Sequence, residues 1–351
     1  TLPFDQYSRQ LIVSRLIDAT IRHTSKKQKL KVIDLGGHKG KTSEFQPRDE
    51  VTILDVFDVS YKNYIKGDAT KTDFTDNYFD AAVSFDVFEH IPRSQRKAFV
   101  AESLRISSFG VFVAMPVDTD NKVASAEVLL NDFYKTAYSE DHPWLKEHIE
   151  YKIPTENEIQ ELVKNEGAEM VSISTNQVGD WQLMQMLIFA SGSNEDITKD
   201  IQAINTWYNQ NINTLDANVD IGYRKVFFIS KNKENVALVK NAIEKFSKKI
   251  TDNDYVTVHR ETFTEYSSVL SKISKKYSQL YRLYSQPGGE KDELNREIER
   301  LHKKLSKASD HITKLTADLN NIYDSSSWKA SKPLRGLEKV NKKLKKTKAR
   351  T

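Results

Sequence analysis

Apolar residues in the first two thirds of the chain are concentrated in short segments and in helical stripes. Short segments rich in apolar residues and bounded by turn residues are typical of buried strands. They occupy residues 30–35, 51–55, 81–85, 110–115, 169–175 and 225–230. Apolar positions three and four residues apart predict helices over 5–23, 95–105 and 155–165, the last with Thr155 as its N-cap and Gly167 at its end. Strands that alternate with helices predict a parallel α/β sheet with its ligand at the carboxyl ends of the strands.

Two segments interrupt this alternation. Residues 117–154 are polar and aromatic, contain two prolines, and stand where a substrate loop would follow a strand. Residues 181–215 carry a helical pattern inserted before the last predicted strand. We interpret both as lid segments over a ligand site or, with equal weight, as ordinary packing elements.

Beyond residue 234 helical patterns follow one another up to a Pro-Gly-Gly break at 287–289. Apolar residues then recur in alternating steps of four and three, which is a heptad pattern flanked by charge. They are Leu294, Ile298, Leu301, Leu305, Ala308, Ile312, Leu315, Leu319 and Ile322. The pattern predicts a coiled coil over 290–325 that forms a homo-oligomer, dimer or trimer. The alternative is that the seam packs on a helix over 263–284 of the same chain.

Composition narrows the classes of protein. The chain has 351 residues and no cysteine, which excludes disulfides, thiolate metal sites and cysteine nucleophiles. From residue 329 onward the chain has ten Lys or Arg and one acidic residue, so this tail has a net charge of +9. Since the whole chain has a net charge of +4, the remaining residues are net acidic. An acidic body without a nucleic-acid motif predicts no nucleic-acid partner. A cytoplasmic location is the default expectation.

A glycine-rich turn follows the first predicted strand. Asp34 ends that strand, Gly36, Gly37 and Gly40 follow, and Asp55 ends the second strand 21 positions after Asp34. Glycines let the backbone approach a ligand closely, and an acid that ends the second strand accepts hydrogen bonds from ribose hydroxyls. The pattern predicts a nucleotide pocket.

Residues 79–92, FDAAVSFDVFEHIP, come after a Gly-Asp-Ala turn at 67–69 and before FVAMP at 112–116. In this order, together with the glycine turn, they resemble the class I S-adenosylmethionine-dependent methyltransferases over roughly residues 5–230. The resemblance implies a Rossmann-like α/β sheet with helices on both faces, and S-adenosylmethionine as cofactor. The chain departs from the family at His38, which stands where the pattern has its middle glycine.

The resemblance also assigns the residues that contact S-adenosylmethionine. They are Asp34, Gly36, Gly37 and Gly40 around the methionine part, Asp55 at the ribose with Val56 beside it, Asp68 and Ala69 at the adenine, and Phe85 through its main chain.

A hydroxyl that accepts a methyl group benefits from a general base. The candidates are His148, His142 and His90, with His148 or His142 preferred. The block HPWLKEH at 142–148 resembles one found in methyltransferases of bacterial surface-polysaccharide clusters. The alternative is that these histidines order the loop instead of taking a proton.

Asp86, Glu89 and His90 stand at i, i+3 and i+4, so a helical turn would place them on one face. Carboxylate and imidazole ligands together suit a divalent ion, and some quinone-pathway O-methyltransferases resemble this spacing. The preferred interpretation is that Glu89 and His90 cap the turn and line the pocket, so no metal is assigned.

The tail adds a second resemblance. Residues 324–335, DSSSWKASKPLR, resemble an element near coiled coils in bacterial polysaccharide glycosyltransferases and methyltransferases. The tail over 326–351 predicts a basic amphipathic helix that lies on an anionic membrane surface, binds an acidic partner, or links to another domain. The predicted organisation is an α/β domain over 1–233, a helical linker over 234–286, the coiled coil and this tail.

These patterns together predict an O-methyltransferase that acts on a sugar or sugar phosphate of a bacterial cell-surface polysaccharide. By methylating the chain end, as O-antigen-type chain terminators do, it would control chain length. The expected partners are the glycan, a second copy of the chain, a polysaccharide glycosyltransferase and the inner face of the cell membrane. The alternatives are a small-molecule or quinone O-methyltransferase, and a scaffold that binds a glycosyltransferase without catalysis.

Overall fold

The computed structural model describes residues 2–38, 41–58, 63–191, 195–211, 219 and 221–247, and single residues at 300, 303 and 307. The chain divides into two units, residues 1–291 and 292–351. Every element named below belongs to the first unit. The coiled coil predicted over 290–325 lies outside the described residues except at positions 300, 303 and 307, which are helical, and the basic tail lies wholly outside them.

A seven-stranded sheet forms the centre of the first unit, in the order β3-β2-β1-β4-β5-β7-β6. Its strands are β1 (Lys31–Leu35), β2 (Glu50–Asp55), β3 (Tyr64–Lys66), β4 (Ala81–Phe85), β5 (Val111–Pro116), β6 (Glu169–Gln177) and β7 (Gly222–Ser230). The six predicted strands are all present. The sequence missed β3, because three residues are too few to set a pattern.

The parallel sheet predicted from the sequence is right for β1 to β5 and wrong for β7, which is antiparallel to both β5 and β6. The strand β7 enters the sheet between β5 and β6 and runs opposite to both, after helical residues that separate it from β6 in the chain.

The helices are α1 (Phe4–Ile17), α2 (His23–Ser25), α3 (Thr42–Phe45), α4 (Arg93–Ile106), α5 (Lys122–Tyr138), α6 (Pro143–Tyr151), α7 (Glu156–Asn165), α8 (Val178–Ser191), α9 (Glu195–Asn211) and α10 (Lys233–Ser247). A π-helical turn over Asp18–Arg22 joins α1 to α2, and a 3-10 turn over Phe88–His90 follows β4. Thr155 caps α7 as predicted, since its hydroxyl accepts the backbone N–H of Glu158 at 3.3 Å. In the described part of the chain, no helix is both long and apolar enough to cross a membrane.

Two apolar cores lie on opposite faces of the sheet. One face packs against α1 and α10 through side chains such as Leu16 and Val239, and the other packs against α4 and α7 through Phe99 and Ile159. The Rossmann-like arrangement with helices on both faces is therefore confirmed. Because α10 is part of this packing, the layers reach Ser247, beyond the domain end predicted at residue 233.

The segment over 117–154, predicted as a loop, is mostly helical, since it forms α5 and α6. The signal was an apolar stripe at three- and four-residue spacing, all of it buried in the structure: Val123, Ala126, Leu130 and Phe133. The helical insertion predicted over 181–215 is present as α8 and α9 and begins three residues earlier, at Val178.

Strand direction gathers the polar side chains at one edge of the sheet. The strands β1, β2, β4, β5 and β6 end at this edge, and β7 begins there. Asp34, Asp55, Asp86 and Arg224 consequently share this edge, where α5 and α8 follow β5 and β6.

Candidate functional site

Asp34 lies at the glycine turn, and only one of its two carboxylate oxygens has a hydrogen-bond partner. Its Oδ2 accepts a hydrogen bond from the Thr42 hydroxyl at 2.6 Å, while Oδ1 is buried and has no partner. Burial raises the pKa of this carboxyl to about 6. A Cβ on Gly37 would lie 2.3 Å from Asp34 Oδ2, so only glycine allows the backbone this close to the carboxylate.

Gly36 brings the glycine turn against the segment that follows β4. Its φ of +85° belongs to the left-handed region that glycine tolerates, and its N–H donates to the Leu54 carbonyl at 2.7 Å. A Cβ on Gly36 would lie 2.3 Å from Cγ2 of Val87. The glycine turn and the 3-10 turn that begins at Phe88 are therefore direct neighbours.

His38, the departure from the family pattern, joins the glycine turn to the end of β2. Its backbone N–H donates to Asp55 Oδ2 at 3.0 Å, and its ring meets the Phe57 ring edge-on with centroids 5.0 Å apart. Asp55 is itself buried, whereas Val56 and Phe57 are 61% and 59% exposed. A carboxylate beside exposed apolar side chains offers hydrogen bonds and a packing surface at the same place.

These features fit the cofactor that the resemblance implies. The free oxygen of Asp34 suits the ammonium group of a methionine part, and Asp55 with Val56 suits a ribose and the base attached to it. Asp68 lies in a turn where its Oδ1 accepts the Thr70 N–H at 2.8 Å, while Ala69 and Phe85 pack against the cores. Gly40 lies outside the described residues.

Asp86 does not join Glu89 and His90, which corrects the trio predicted from their spacing. The helical turn begins only at Phe88, and Asp86 has a φ of +52°. Its carboxylate accepts two hydrogen bonds from Arg224, from Nε at 2.6 Å and from Nη2 at 2.5 Å, and also pairs with Arg9. Asp86 therefore anchors the turn to β7.

Two adjacent imidazoles, each flanked by a carboxylate, lie in a line beside that turn. His148 Nδ1 is 2.9 Å from Glu127 Oε1, the Nε2 atoms of His148 and His90 are 3.1 Å apart, and His90 Nδ1 is 2.7 Å from Glu147 Oε2. Glu89 is fully buried next to them, and neither of its carboxylate oxygens accepts a hydrogen bond from another residue. We call these five residues the histidine–carboxylate cluster.

The electrostatics of the cluster are uneven. Burial opposes a charge on His148, but the hydrogen bond and the negative charge of Glu127 outweigh burial and raise the pKa of His148. Burial, together with the neighbouring His148, lowers the pKa of His90. Burial raises the pKa of Glu89. Tyr223 donates its hydroxyl to Glu127 Oε1 at 2.7 Å, which orients that carboxylate.

Of the three predicted catalytic histidines, His148 and His90 lie in the cluster and His142 does not. The His142 ring packs among aromatic rings, stacked on Phe189 at 4.9 Å and edge-on to Tyr134 at 4.8 Å, and burial lowers its pKa. Sequence reasoning missed Glu127 and Tyr223. No local spacing indicates these contacts, since Glu127 is 21 residues from His148 and Tyr223 is 96 residues from Glu127.

Comparison with protein-family models identifies part of this edge. Residues 45–114 match the family described as a methyltransferase domain, a stretch that includes β2 to β4 and the turn with Glu89 and His90. The match indicates a methyltransferase domain at these residues, with S-adenosylmethionine as the methyl donor. No curated protein sequence matches the chain.

Several solved structures resemble the chain at a distance. A SAM-dependent methyltransferase from Methanosarcina mazei is 17% identical, with 45% of this chain and 88% of that one covered and a TM-score of 0.33. The YcgJ protein from Bacillus subtilis is 14% identical, with 63% and 99% covered and a TM-score of 0.37. The [4+2]-cyclase SpnF is 16% identical, with 63% and 80% covered and a TM-score of 0.39. Likenesses this distant say nothing about the substrate.

Proposed function

We propose that this chain transfers the methyl group of S-adenosylmethionine to a hydroxyl group of a sugar in a bacterial cell-surface polysaccharide. The observation that carries the choice of a hydroxyl is the histidine–carboxylate cluster beside the glycine turn. A hydroxyl must lose its proton as its oxygen takes a methyl group, and groups that assist this loss accelerate the transfer. The cluster gathers two imidazoles and three carboxylates at that place.

On this proposal the main contribution of the protein is to position the acceptor against the methyl group. S-adenosylmethionine supplies the methyl group on a positively charged sulfur, so the remaining barrier depends mainly on alignment of acceptor and methyl. On this proposal Asp34 Oδ1 accepts the ammonium group and Asp55 the ribose hydroxyls, while Val56 packs against the base. The helices α5 and α6 carry Glu127, Glu147 and His148 and hold them beside the strand ends.

Three features support a sugar polymer as the acceptor. Trp144 is 62% exposed on α6, the helix that carries Glu147 and His148, and the apolar faces of sugar rings pack well on such a side chain. The block at 142–148 and the element at 324–335 both resemble segments of polysaccharide enzymes. A heptad seam followed by a basic tail would hold the domain near a membrane-bound polymerase.

The proposal includes an assembly. The chain forms a dimer or trimer through residues 290–325, works with a polysaccharide glycosyltransferase, and lies at the inner face of the cell membrane through its basic tail. Methylation of a terminal sugar then blocks further extension and sets chain length. Light scattering before and after deletion of 290–325 tests the assembly, because an unchanged mass would contradict it.

The acceptor is tested with methyl-labelled S-adenosylmethionine. We expect label to appear in purified surface glycan and not in lipid or quinone extracts of the same cells. Label in the quinone fraction alone would instead favour a small-molecule O-methyltransferase. Calorimetry with S-adenosylmethionine separates both from a scaffold, because a scaffold would bind none and its Asp55→Ala variant would behave like the parent.

A further inference from the structure

We propose that the histidine–carboxylate cluster is a binding site for one divalent transition-metal ion, with Glu89, His90 and His148 as ligands. The site differs from the trio weighed and not preferred in the sequence analysis, because α6 supplies His148 while Asp86 is engaged by Arg224. One ligand atom from each of the three residues lies within 4.8 Å of the other two.

The distance between the two imidazoles matches a shared ion. Histidine nitrogens bind such ions at about 2.0–2.1 Å, so two of them at tetrahedral or octahedral angles stand about 2.9–3.4 Å apart. The Nε2 atoms of His90 and His148 are 3.1 Å apart. Direct hydrogen bonding also permits this distance, so the protons of the two rings decide between the possibilities.

Each ring offers its Nδ1 to a carboxylate, His148 to Glu127 and His90 to Glu147. A carboxylate at Nδ1 fixes the proton on that nitrogen and leaves the Nε2 lone pair free, as in histidines that bind metal. The two Nε2 lone pairs then point at each other, which is unfavourable unless a cation lies between them. Either one extra proton or a metal ion meets this requirement.

The surroundings of Glu89 favour a metal ion over a proton between the two imidazoles. A proton shared by the imidazoles leaves the buried Glu89 carboxylate without a hydrogen bond from another residue, which is costly. A metal ion uses the same carboxylate as its third ligand. An ion therefore accounts for the distance between the imidazoles and also gives Glu89 a partner, whereas a proton accounts for the first alone.

The ligand types indicate which ions bind. Two imidazoles with one carboxylate suit zinc, manganese, iron or nickel better than magnesium or calcium, which prefer ligand sets made of oxygen. Three protein ligands leave at least one coordination position open, as in catalytic metal sites. The carboxylates of Glu127 and Glu147 orient the two histidine ligands through their Nδ1 atoms.

The role of the ion rests on the proposed function. An acceptor hydroxyl at the open position becomes more acidic, because the ion stabilises its negative charge. As the oxygen–carbon bond forms, the O–H bond breaks and its proton passes to bulk water. The methyl–sulfur bond breaks at the same time, and its electron pair stays on sulfur.

The test measures metal binding directly on the full chain. After treatment with a chelator and dialysis, calorimetry with zinc, manganese and magnesium chlorides should show one equivalent of zinc or manganese bound and much weaker binding of magnesium. Substitution His148→Gln or Glu89→Gln should lower the affinity at least about 100-fold, and Glu127→Gln about 10–100-fold. His23→Gln is the matched control, because it removes an exposed histidine on α2 and should change nothing.

Two results would overturn the site: a parent that binds no more tightly than His148→Gln, or a bound cobalt ion whose visible spectrum does not respond to Glu89→Gln. Circular dichroism of each variant shows that it is folded. The inference and the proposed function fail separately. Methylation of glycan that continues in metal-free protein contradicts the role of the ion alone, whereas metal binding without glycan methylation contradicts the proposed function alone.

Discussion

The cofactor half of the site, residues 34–38 and 55–57, and the histidine–carboxylate cluster lie at one edge of the sheet but are built in opposite ways. The cofactor half consists of two segments that directly continue β1 and β2, which are neighbours in the sheet. Three elements, the 3-10 turn after β4, α5 and α6, bring the cluster together, and Tyr223 of β7 completes it.

The two halves also differ in how far their polar groups are satisfied. Asp34 has an oxygen without a partner, and Val56 and Phe57 are exposed, so the cofactor half presents unfilled surfaces to a ligand. Within the cluster, each imidazole has a polar neighbour at both nitrogens, and Glu89 alone lacks a hydrogen bond from another residue. A site of this kind has one half shaped for binding and one for chemistry, and substitutions should affect the halves separately.

The largest effect should follow His148→Gln. The variant removes a nitrogen at the centre of the cluster while keeping side-chain size, so the rate of methyl transfer should fall about 10²–10⁴-fold. The affinity for S-adenosylmethionine should stay within about twofold of the parent, because His148 is no part of the cofactor half. Initial rates and calorimetry on the same preparation measure both. A matching loss of cofactor affinity would show that the halves are not separate.

The converse variant is Asp55→Asn. Its amide oxygen still accepts the His38 N–H, so the turn is kept, but the charge that strengthens hydrogen bonds from ribose is lost. Hydrogen bonds to charged groups contribute about 1.5–3 kcal/mol, which corresponds to about a 10–100-fold weaker affinity for S-adenosylmethionine. The rate at saturating cofactor should recover most of the parent value. A rate that stays low at saturation would place Asp55 in the chemical step.

The same contrast explains what the sequence could predict. Asp34 and Asp55 end strands whose apolar runs are unmistakable, so the cofactor half follows from local pattern. Glu127 was missed because its helix lies in a segment read as a loop, although the stripe of Val123, Ala126 and Leu130 marks that helix. Asp86 was misplaced because spacing assumes a regular helix, whereas its orientation depends on Arg224, 138 residues later in the chain.

A pH titration sharpens the comparison within the cofactor half. Burial raises the pKa of Asp34 to about 6, so its carboxylate is ionised above that pH and neutral below it. Affinity for the ammonium group of S-adenosylmethionine should therefore weaken below pH 6, by up to about tenfold per pH unit. Calorimetry between pH 5 and pH 8 measures this. The Asp34→Asn variant should bind weakly with no such dependence, and a parent whose affinity is constant over this range would contradict the role of Asp34.

The smallest effect should come from Tyr223→Phe, which tests whether Glu127 needs its second partner. The hydroxyl of Tyr223 and Nδ1 of His148 both meet the Glu127 carboxylate, and burial of Tyr223 leaves no solvent to replace the lost donor. An unsatisfied buried acceptor costs about 1–3 kcal/mol, so the melting temperature should fall. Because Glu127 then holds His148 less firmly, the methyl-transfer rate should fall by less than about tenfold at unchanged cofactor affinity.

The matched control is Tyr138→Phe, because the Tyr138 hydroxyl donates to the Phe189 carbonyl at 2.6 Å, away from the cluster. Tyr138→Phe should lower the melting temperature without lowering the methyl-transfer rate. Equal losses of rate in the two variants would show that Tyr223 acts only through stability.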